Sequence, residues 1–278
     1  MSDGQLPRSL VLAGAGKMGG AMLEGWLGAG LPDGAARVLD PAPSEAMAAL
    51  ARAGRIRLGA AAGAPPAAAA PPEVLVLAIK PQGLDEAAAA LRANAGPQTL
   101  VVSILAGKTV ADLKRALPEA QAVVRAMPNL PAAIGQGATG AYASPGTSDA
   151  QKATADRLLA CNGVVEWVGD EALIDAVTAL SGSGPAYVFH LVEAMAKAGE
   201  AAGLEPGLAG RLARATVTGA GALLAQSDLA AGTLRENVTS KGGTTAAALE
   251  VLMGPDGLTP LLTRAVAAAK RRAGELSG

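Results

Sequence analysis

Short apolar runs alternate with alanine-rich stretches through the first part of the chain. Short stretches rich in valine, leucine and isoleucine occur at residues 10–12, 37–39, 74–79, 100–104, 123–124 and 164–165. Strands that are apolar along their whole length are typical of a parallel sheet covered on both faces. The alanine-rich stretches between them predict the covering helices. This part of the chain is therefore predicted to be α/β, with a doubly wound and mostly parallel sheet.

The pattern changes near Asp170, after which such runs stop. The later stretches are rich in alanine and leucine, with prolines near several starts and glycines near several ends, at residues 171–180, 185–203, 206–224, 245–253 and 257–276. They predict an all-α second domain, so we place one domain at residues 1–169 and the other at 170–278. About 110 residues of such helix bury only part of their apolar faces against one another. This favours dimerisation through the second domain.

One segment of the first domain fits neither pattern. Residues 60–72 contain the proline pairs Pro65-Pro66 and Pro71-Pro72. Since proline has no N–H group to donate within a helix, this segment is predicted to be a loop or a frayed short helix.

Composition and charge narrow the class of partner. The chain carries 23 basic and 24 acidic residues, has no basic run and is only 2% aromatic. Nucleic-acid binding needs clustered positive charge and rings on which bases can stack. No nucleic-acid partner is therefore expected, and a small molecule is favoured.

Cysteine content and hydropathy bear on the cellular location. Cys161 is the single cysteine, so no disulfide can form within the chain and the composition fits a reducing cytoplasm. With a single histidine beside it, a zinc site of cysteine and histidine ligands is nearly excluded, and no metal is expected. Residues 1–7 lack the basic segment of a signal peptide, and charges interrupt each apolar run before the roughly 18–20 residues of a membrane span. We expect a cytoplasmic protein without a membrane partner.

A glycine-rich turn follows the first apolar run and opens a predicted helix. It consists of Gly14, Ala15, Gly16, Lys17, Met18 and Gly19. In this position the pattern predicts a dinucleotide site, because the first two glycines allow a tight turn and a close approach of pyrophosphate. The third glycine lets helix and strand pack, and the free N–H groups at the helix start would bind the phosphates.

An acidic residue stands where this type of fold contacts the ribose. Asp40 lies 21 residues beyond Gly19, at the end of the second predicted strand. Its carboxylate can accept hydrogen bonds from a ribose 2′-hydroxyl and would repel a 2′-phosphate, so by itself Asp40 favours NADH over NADPH. The segment that follows offers the Ser44 hydroxyl and helix-start amides that could hold a phosphate. These residues leave the choice of nucleotide open.

Two further segments are expected at the carboxyl edge of the sheet, where ligands of open α/β folds bind. Ile79, Lys80 and Pro81 end the strongest apolar run, and Asn129 lies in a turn that prolines are expected to hold extended. Lys80 is equally well explained as a surface lysine. Asn129 could bond nicotinamide or ribose, or it could bond its own backbone.

Two glycine-rich segments of the second part lack the pattern of a phosphate loop and are candidates for substrate binding. Residues 181–187 read Ser-Gly-Ser-Gly-Pro-Ala-Tyr, and residues 240–245 read Ser-Lys-Gly-Gly-Thr-Thr. No side chain is positioned as a strong proton donor, since His190 lies in a largely apolar helix and is expected to be packed or at an interface. Carbonyl reduction usually needs such a donor, whereas an imine can be protonated from solvent.

Together these residues resemble the pyrroline-5-carboxylate reductase family. The matching blocks are the Gly14 loop and residues 76–82, 103–107, 125–131, 181–189 and 240–245. The resemblance implies a Rossmann-like domain followed by an all-α dimerisation domain. It also implies reduction of 1-pyrroline-5-carboxylate to L-proline, the last step of proline biosynthesis, by hydride from NAD(P)H. NADPH is the nucleotide that the resemblance favours, and a homodimer or an oligomer of dimers is the implied assembly.

The resemblance also assigns site residues. Substrate-binding positions are Ser240, Gly242, Gly243, Thr244 and Thr245; cofactor-binding positions are Gly14, Ala15, Gly16, Lys17, Met18, Gly19, Asp40, Ser44, Ile79, Lys80, Pro81 and Asn129. The glycines and threonines of the first set would bind the substrate carboxylate through main-chain N–H groups and hydroxyls. Thr245 matches the position proposed to hydrogen-bond the ring nitrogen and is the implied catalytic residue.

One position departs from the family pattern. Lys241 stands where similar enzymes usually carry proline, so the rigid Ser-Pro turn is lost. Lys241 would either point to solvent or supplement carboxylate binding.

Two other functions share parts of the pattern. A β-hydroxyacid dehydrogenase would need a lysine early in the first long helix of the second domain, and residues 184–192 contain none. A non-catalytic NAD(P)-binding regulator predicts a degenerate substrate loop, whereas residues 242–245 are intact.

Overall fold

The computed structural model describes residues 5–59 and 70–277 and contains an eight-stranded sheet. The strands are β1 (Leu10–Ala13), β2 (Ala36–Leu39), β3 (Arg57–Gly59), β4 (Val74–Leu77), β5 (Leu100–Ser103), β6 (Ala122–Met127), β7 (Gly137–Ala143) and β8 (Gly163–Trp167). Their spatial order is β3-β2-β1-β4-β5-β6-β7-β8, and every neighbouring pair is parallel except β6 and β7. The first six positions have the order of a doubly wound dinucleotide-binding fold. The predicted Rossmann-like, mostly parallel sheet is confirmed.

The helices fall into two groups along the chain. Between the strands lie α1 (Lys17–Gly28), α2 (Glu45–Arg52), α3 (Leu84–Arg92), α4 (Val110–Ala116) and α5 (Asp149–Ala160). After β8 come α6 (Leu173–Val177), α7 (Gly184–Ala201), α8 (Pro206–Gln226), α9 (Ala231–Asn237), α10 (Thr244–Leu252) and α11 (Leu258–Ser277). The predicted change from α/β to all-α structure is therefore confirmed.

The side chains of β4 show why the sheet needs helices on both faces. Val74 and Val76 belong to one buried cluster, which includes residues of α1 and α5. Leu75 and Leu77 belong to a second cluster, which includes residues of α3 and α4. All four side chains are fully buried. A strand that is apolar at every position is thus buried on both sides, as the pattern predicts.

Two strands differ from the apolar pattern and were not predicted. β3 is a short edge strand with exposed residues, and β7 reads Gly-Ala-Thr-Gly-Ala-Tyr-Ala. In β7, Gly140 lies against the side chain of Val177, and Gly137 lies against Ala132. Close approach of neighbouring elements requires small residues there, and small residues remove the valine and isoleucine signal that marks a strand.

Two local predictions also change. The apolar run at residues 74–79 is a strand only as far as Leu77. The extended turn predicted after β6 is wrong beyond Asn129, because a 3-10 turn spans Leu130–Ile134 with Pro131 in its first turn. Proline suits a helical start because it needs no donor there. Helix α9 was not predicted. Of the segment predicted as a loop or frayed helix, residues 60–69 lie outside the described residues, and residues 70–72 form neither helix nor strand.

By its contacts the chain divides into two compact units. The first runs to Ser183 and includes the residues from Ala269 onward, and the second spans Gly184–Ala268. This division lies between Ser183 and Gly184, whereas the functional boundary inferred from sequence lies between residues 169 and 170 and stays a prediction.

An ion pair between a buried arginine and a half-buried glutamate joins three parts of the first unit. The Arg125 side chain lies in β6 and is 6% exposed, and its Nη1 donates to Glu171 Oε1 at 2.6 Å. The same carboxylate oxygen accepts the N–H of Val110 at 2.7 Å, at the start of α4. One carboxylate therefore fixes the segment after β8 to both β6 and α4.

The second unit is built on the pair α7 and α8. Gly199 of α7 lies against Ala209 of α8, and Ala209 and Ala213 are buried. The Glu205 carboxylate caps α8 by accepting the N–H groups of Gly207 and Leu208 at 2.8 and 2.7 Å. These hydrogen bonds hold the pKa of Glu205 below its ordinary value. Across the described residues, no helix has the length and apolarity to cross a membrane.

The core of the first unit can be tested at Trp26. This side chain is fully buried, and its indole N–H donates to the carbonyl oxygen of Leu158 at 2.8 Å. Trp26→Phe leaves that carbonyl unpaired and opens a small void. We expect the free energy of unfolding to fall by about 1–3 kcal/mol in chemical denaturation.

The matched control is Trp167→Phe. Trp167 donates to Asp156 Oδ1 at 2.8 Å but is only half-buried, so water can replace the lost bond. Trp167→Phe should therefore lower the free energy of unfolding clearly less than Trp26→Phe does. An equal decrease in the two variants would contradict this account of the core.

Candidate active site

The turn after β1 depends on glycine at two of its positions. Gly14 has φ +88°, and a Cβ placed on it would lie 2.6 Å from the carbonyl oxygen of Ala78, just beyond β4. A Cβ on Gly19 would collide with the Gly14 carbonyl oxygen and would lie 3.0 Å from the Ala78 Cβ. Both glycines are therefore required by packing within the protein itself.

Gly16 differs from these two glycines. It is the N-cap residue of α1 with φ −67°, and a Cβ placed on it would meet nothing within 4 Å. The helix start has no side-chain cap and no acidic residue in its first turn. Its first N–H groups have no partners inside the helix, and the helix dipole places positive charge there. The open space at Gly16 thus adjoins a site suited to an anion.

Asp40 is bonded to the glycine-rich turn. Its Oδ2 accepts the N–H of Ala15 at 2.7 Å, and its Oδ1 accepts the N–H of Ala42 at 2.9 Å. The N–H of Gly14 donates to the carbonyl oxygen of Leu39 at 2.9 Å. Two of these hydrogen bonds, from Ala15 to Asp40 and from Gly14 to Leu39, hold the end of β2 and the turn after β1 together, while the bond from Ala42 lies within the segment after β2.

Two clefts flank the segment around Asp40. The first, here called the loop cleft, has a volume of about 750 Å³ and is lined by Ala15, Gly16, Lys17, Met18, Gly20, Ala21, Glu24, Asp40, Ala42, Ser44, Ala46, Met47, Leu130 and Ala133. The second, here called the apolar cleft, has a volume of about 430 Å³ and is lined by Ala13, Leu39, Pro41, Ile79, Gly83, Glu86, Ala87, Ala89, Ala90 and Leu91.

The clefts bring together most of the predicted cofactor residues. Lys17 and Met18 line the loop cleft with Ser44, whose Oγ accepts the N–H of Met47 at 3.3 Å and so caps α2. Ile79 lines the apolar cleft instead. Lys80 is exposed and Pro81 starts a short 3-10 turn, and neither lines these two clefts.

Asn129 is bonded to backbone on both sides of its amide group. Its Oδ1 accepts the N–H of Ala138 at 2.9 Å, and its Nδ2 donates to the carbonyl oxygen of Ser181 at 3.0 Å. The side chain is buried, so these bonds join the turn after β6 to β7 and to a π-helical turn at Thr178–Gly182. Of the two roles considered for Asn129, the contacts present are those of a backbone-bonding residue.

Some cleft residues were not predicted from the sequence. Leu130 and Ala133 reach the loop cleft from the 3-10 turn after β6, and Glu24 reaches it from the second turn of α1. Glu86 and Ala87 line the apolar cleft from α3. Pro131 was the available signal for the 3-10 turn, but no local pattern relates these residues to a ligand.

In the second unit, residues 240–245 form a turn that leads into α10. The N–H of Gly243 donates to the carbonyl oxygen of Ser240 at 3.0 Å, and Gly242 has φ +70°. Gly243 is the N-cap of α10 and lies so close to Ser240 that a Cβ would strike the hydroxyl oxygen. Thr244 is exposed and Thr245 half-buried, both in the first turn of α10.

Lys241 occupies the second position of this turn and is exposed. A four-residue turn with positive φ at its third position is the type in which proline is common at the second. The turn therefore keeps its geometry here with lysine at that position.

The remaining candidates have other surroundings. His190 is exposed on α7, and its Nδ1 lies 3.1 Å from Glu193 Oε2. Burial raises the pKa of the Cys161 thiol, which makes it a poor nucleophile. Among the described residues, no group of three or more histidine, cysteine, aspartate or glutamate side chains could hold a metal ion.

The fold and the turn after β1 define an NAD(P)-dependent oxidoreductase with a helical second part. Two family models match: pyrroline-5-carboxylate reductase dimerisation over residues 171–276, and NADP oxidoreductase, coenzyme F420-dependent, over residues 9–107. The pyrroline-5-carboxylate reductase of Pseudomonas aeruginosa is 40% identical over 96% of both chains. The chain belongs to the pyrroline-5-carboxylate reductase family.

Solved structures agree with this assignment. A pyrroline-5-carboxylate reductase from Coxiella burnetii superposes with a TM-score of 0.86, at 31% identity, over 99% of this chain and all of the other. The Plasmodium falciparum enzyme with NADP bound has a TM-score of 0.76 at 23% identity, over 99% of this chain and all of the other, and shows likeness of fold. The family assignment decides against the β-hydroxyacid dehydrogenase alternative.

The contrast between Gly16 and Gly19 gives a matched pair of variants. Gly16→Ala adds a methyl group to open space, so the free energy of unfolding should change by less than about 1 kcal/mol. If pyrophosphate approaches the backbone there, affinity for NAD(P)H should fall by about tenfold or more. Nucleotide fluorescence titration measures this effect.

Gly19→Ala should behave in the opposite way. The added methyl group meets backbone atoms, so the unfolding midpoint should drop, whether or not a nucleotide is present. Unchanged nucleotide affinity in a stably folded Gly16→Ala protein would contradict a pyrophosphate site at this turn.

Proposed function

We propose that this chain reduces 1-pyrroline-5-carboxylate to L-proline with hydride from NAD(P)H, completing proline biosynthesis. The observation that carries the proposal is the intact turn at residues 240–245, which leads directly into the N-terminus of α10. Membership of the reductase family supports the same reaction.

The substrate carboxylate suits the start of α10. Gly242 and Gly243 leave the backbone accessible, and the first N–H groups of the helix are free to donate. We assign Ser240, Gly242, Gly243, Thr244 and Thr245 to substrate binding. Converging donors without bulky side chains match an anionic group on a small ring.

Thr245 is proposed as the catalytic residue, through a hydrogen bond to the ring nitrogen. When bound, the nicotinamide supplies a hydride to the carbon of the C=N bond, on the side of the nitrogen away from the carboxylate-bearing carbon. The nitrogen takes up a proton and becomes the secondary amine of proline. A hydroxyl held at the nitrogen would orient the imine and share in this proton transfer.

The nucleotide is assigned to the first unit. Its proposed contacts are Gly14, Ala15, Gly16, Lys17, Met18, Gly19, Asp40, Ser44, Ile79, Lys80, Pro81 and Asn129. The open space beside Gly16, where a Cβ would meet nothing within 4 Å, adjoins the uncapped start of α1 and fits a pyrophosphate. The apolar cleft beside Asp40, lined by Ile79 and Pro41, fits an adenine ring. Lys80 and Asn129 retain their assignment on family resemblance, although the oxygen and the nitrogen of the Asn129 side-chain amide already have backbone partners.

The setting of the reaction follows from composition. The single thiol of Cys161 fits the reducing cytoplasm. The near-neutral net charge fits a small-molecule substrate. We propose no nucleic-acid or membrane partner. We place nucleotide binding in residues 1–169 and substrate binding and self-association in residues 170–278.

Removal of the Thr245 hydroxyl tests the catalytic assignment. Thr245→Ala should lower kcat/KM for 1-pyrroline-5-carboxylate by about 100-fold, the usual cost of losing one donor to a developing charge. The spectrophotometric oxidation of NADH and NADPH reports the rate.

Thr245→Ser keeps the hydroxyl and is the matched control, with activity near that of the parent chain. A loss confined to KM in the alanine variant would remove Thr245 from the chemical step while leaving it in binding. No turnover of 1-pyrroline-5-carboxylate by the parent chain with either nucleotide would overturn the function itself.

Self-association follows from the family of the helical part, and we propose a homodimer as its basic form. Between residues 184 and 268 the buried apolar side chains are Ala209 and Ala213, while sixteen large apolar side chains are exposed: Val188, Phe189, Leu191, Leu204, Leu208, Leu212, Leu223, Leu224, Leu229, Val238, Val251, Leu252, Met253, Leu258, Leu261 and Leu262. So much exposed apolar surface on helices is typical of a protein–protein interface. The dimer can in turn be the building block of a higher oligomer.

Light scattering after size exclusion tests the assembly. We expect a molar mass of about 54 kDa, twice the chain mass of 27.1 kDa, or a multiple of it. Leu223→Asp introduces a charge on the apolar side of α8 and should raise the dissociation constant by about tenfold or more.

Gln226→Asp is the control, because it places the same charge at an exposed polar position of the same helix. A parent chain that stays at 27.1 kDa at micromolar concentration would contradict the dimer.

A further inference from the structure

We propose that this chain selects NADH over NADPH, because the Asp40 carboxylate is fixed at the position of the adenosine ribose. The inference rests on the proposed function in one respect, that the nucleotide binds at the turn after β1. It departs from the preference for NADPH that family resemblance implies.

Asp40 cannot easily move aside for a phosphate. Each of its two carboxylate oxygens accepts a backbone N–H, one from Ala15 at 2.7 Å and one from Ala42 at 2.9 Å. These donors belong to different segments, the turn after β1 and the segment after β2. Hydrogen bonds to a charged acceptor are stronger than those between neutral groups. Rotation of the Asp40 side chain would break both bonds at once.

The fixed carboxylate still has free acceptor sites. A carboxylate has about four lone-pair positions, and the two backbone bonds use two of them. A ribose 2′-hydroxyl can therefore donate to Asp40 without disturbing its contacts. A 2′-phosphate would instead bring about two negative charges to the same oxygens, with no proton to donate at neutral pH.

The charges around the ribose position are unfavourable for a 2′-phosphate. Among the residues described as lining the two clefts, the charged ones are Lys17, Glu24, Asp40 and Glu86. This is one cation against three carboxylates. Lys17 is also the first residue of α1, where the pyrophosphate is proposed to bind.

The segment after Asp40 offers few donors in compensation. Pro41 and Pro43 have no N–H, and the N–H of Ala42 is already bonded to Asp40. The Ser44 hydroxyl oxygen accepts the N–H of Met47 at 3.3 Å, and Glu45 adds a carboxylate to the first turn of α2. What is left for a phosphate is the N–H and hydroxyl proton of Ser44 and the first amides of α2, opposed by Asp40, whereas the Glu45 carboxylate is paired with Arg52 at 2.6 Å.

Direct binding of both nucleotides to the unmodified chain tests the inference without any substrate. In titrations followed by nucleotide fluorescence, we expect NADH to bind about tenfold or more tightly than NADPH, as charge repulsion at contact distance predicts. Because salt screens this repulsion, the ratio of the two dissociation constants should shrink when salt rises from about 50 to about 500 mM. Equal binding, or tighter binding of NADPH, would overturn the proposal.

The variant Asp40→Ser tests whether the Asp40 carboxylate causes the preference for NADH. Removal of the carboxylate should move the ratio of dissociation constants by about tenfold or more toward NADPH. Glu45→Gln is the matched control: it removes one nearby carboxylate that lines neither cleft, and the ratio should change by less than about threefold. An equal shift in both variants would show a general charge effect and overturn the role of Asp40.

Two outcomes separate this inference from the proposed function. A chain that binds NADH preferentially yet fails to reduce 1-pyrroline-5-carboxylate supports the selectivity and contradicts the reaction. A chain that reduces the substrate and binds NADPH as well as NADH supports the reaction and contradicts the selectivity. The titrations of the unmodified chain with the two nucleotides still test the selectivity if Asp40→Ser does not fold.

Discussion

The close passage of the turn after β1 over the end of β4 is the constraint on which the nucleotide site depends. Gly14 adopts φ +88° with no room for a Cβ beside the Ala78 carbonyl, and Gly19 lies directly over Gly14. These two contacts fix where α1 begins and which way its free N–H groups point. The bond from Ala15 to Asp40 then ties the same turn to β2. The proposed anion site and the carboxylate proposed to contact a ribose are thus both positioned by one turn.

The second unit has a different physical problem. Its helices pair through small residues, as at Gly199 and Ala209, and this pairing buries little apolar surface. Exposed leucines and valines are left on several helices, among them Leu212, Leu223 and Val251. Helices in proteins gain most of their stability from tertiary packing. A second copy is the partner that a dimerisation family provides, so folding of this unit and self-association are expected to be coupled.

Strands and helices could be predicted from the sequence where burial acts on consecutive residues. They were missed where the residues are determined by contacts with distant parts of the chain. β4 was visible because Val74 to Leu77 are apolar on both faces, and α10 because its glycine start is a local signal. β7 was missed because Gly137 and Gly140 serve neighbours that lie far away in the chain. In the candidate site, Gly14, Asp40 and Ser44 are predicted from spacing, and their roles stay predictions. The bond from Ala15 to Asp40, and the approach of Leu130 and Ala133 to the loop cleft, could not be found because they depend on how separate segments pack.

Lys241 shows that a turn can keep its geometry after losing its most rigid residue. The hydrogen bond from Gly243 to Ser240 and the positive φ of Gly242 define the turn, and neither requires proline at position 241. A proline there would chiefly restrict the unfolded chain, an effect of about 0.4–1 kcal/mol. Gly242 and Gly243 cannot be exchanged in the same way, since one has φ +70° and the other lies against the Ser240 hydroxyl. The shape of the proposed carboxylate site therefore depends on its two glycines, while the residue before them affects mainly how strongly the free turn is ordered.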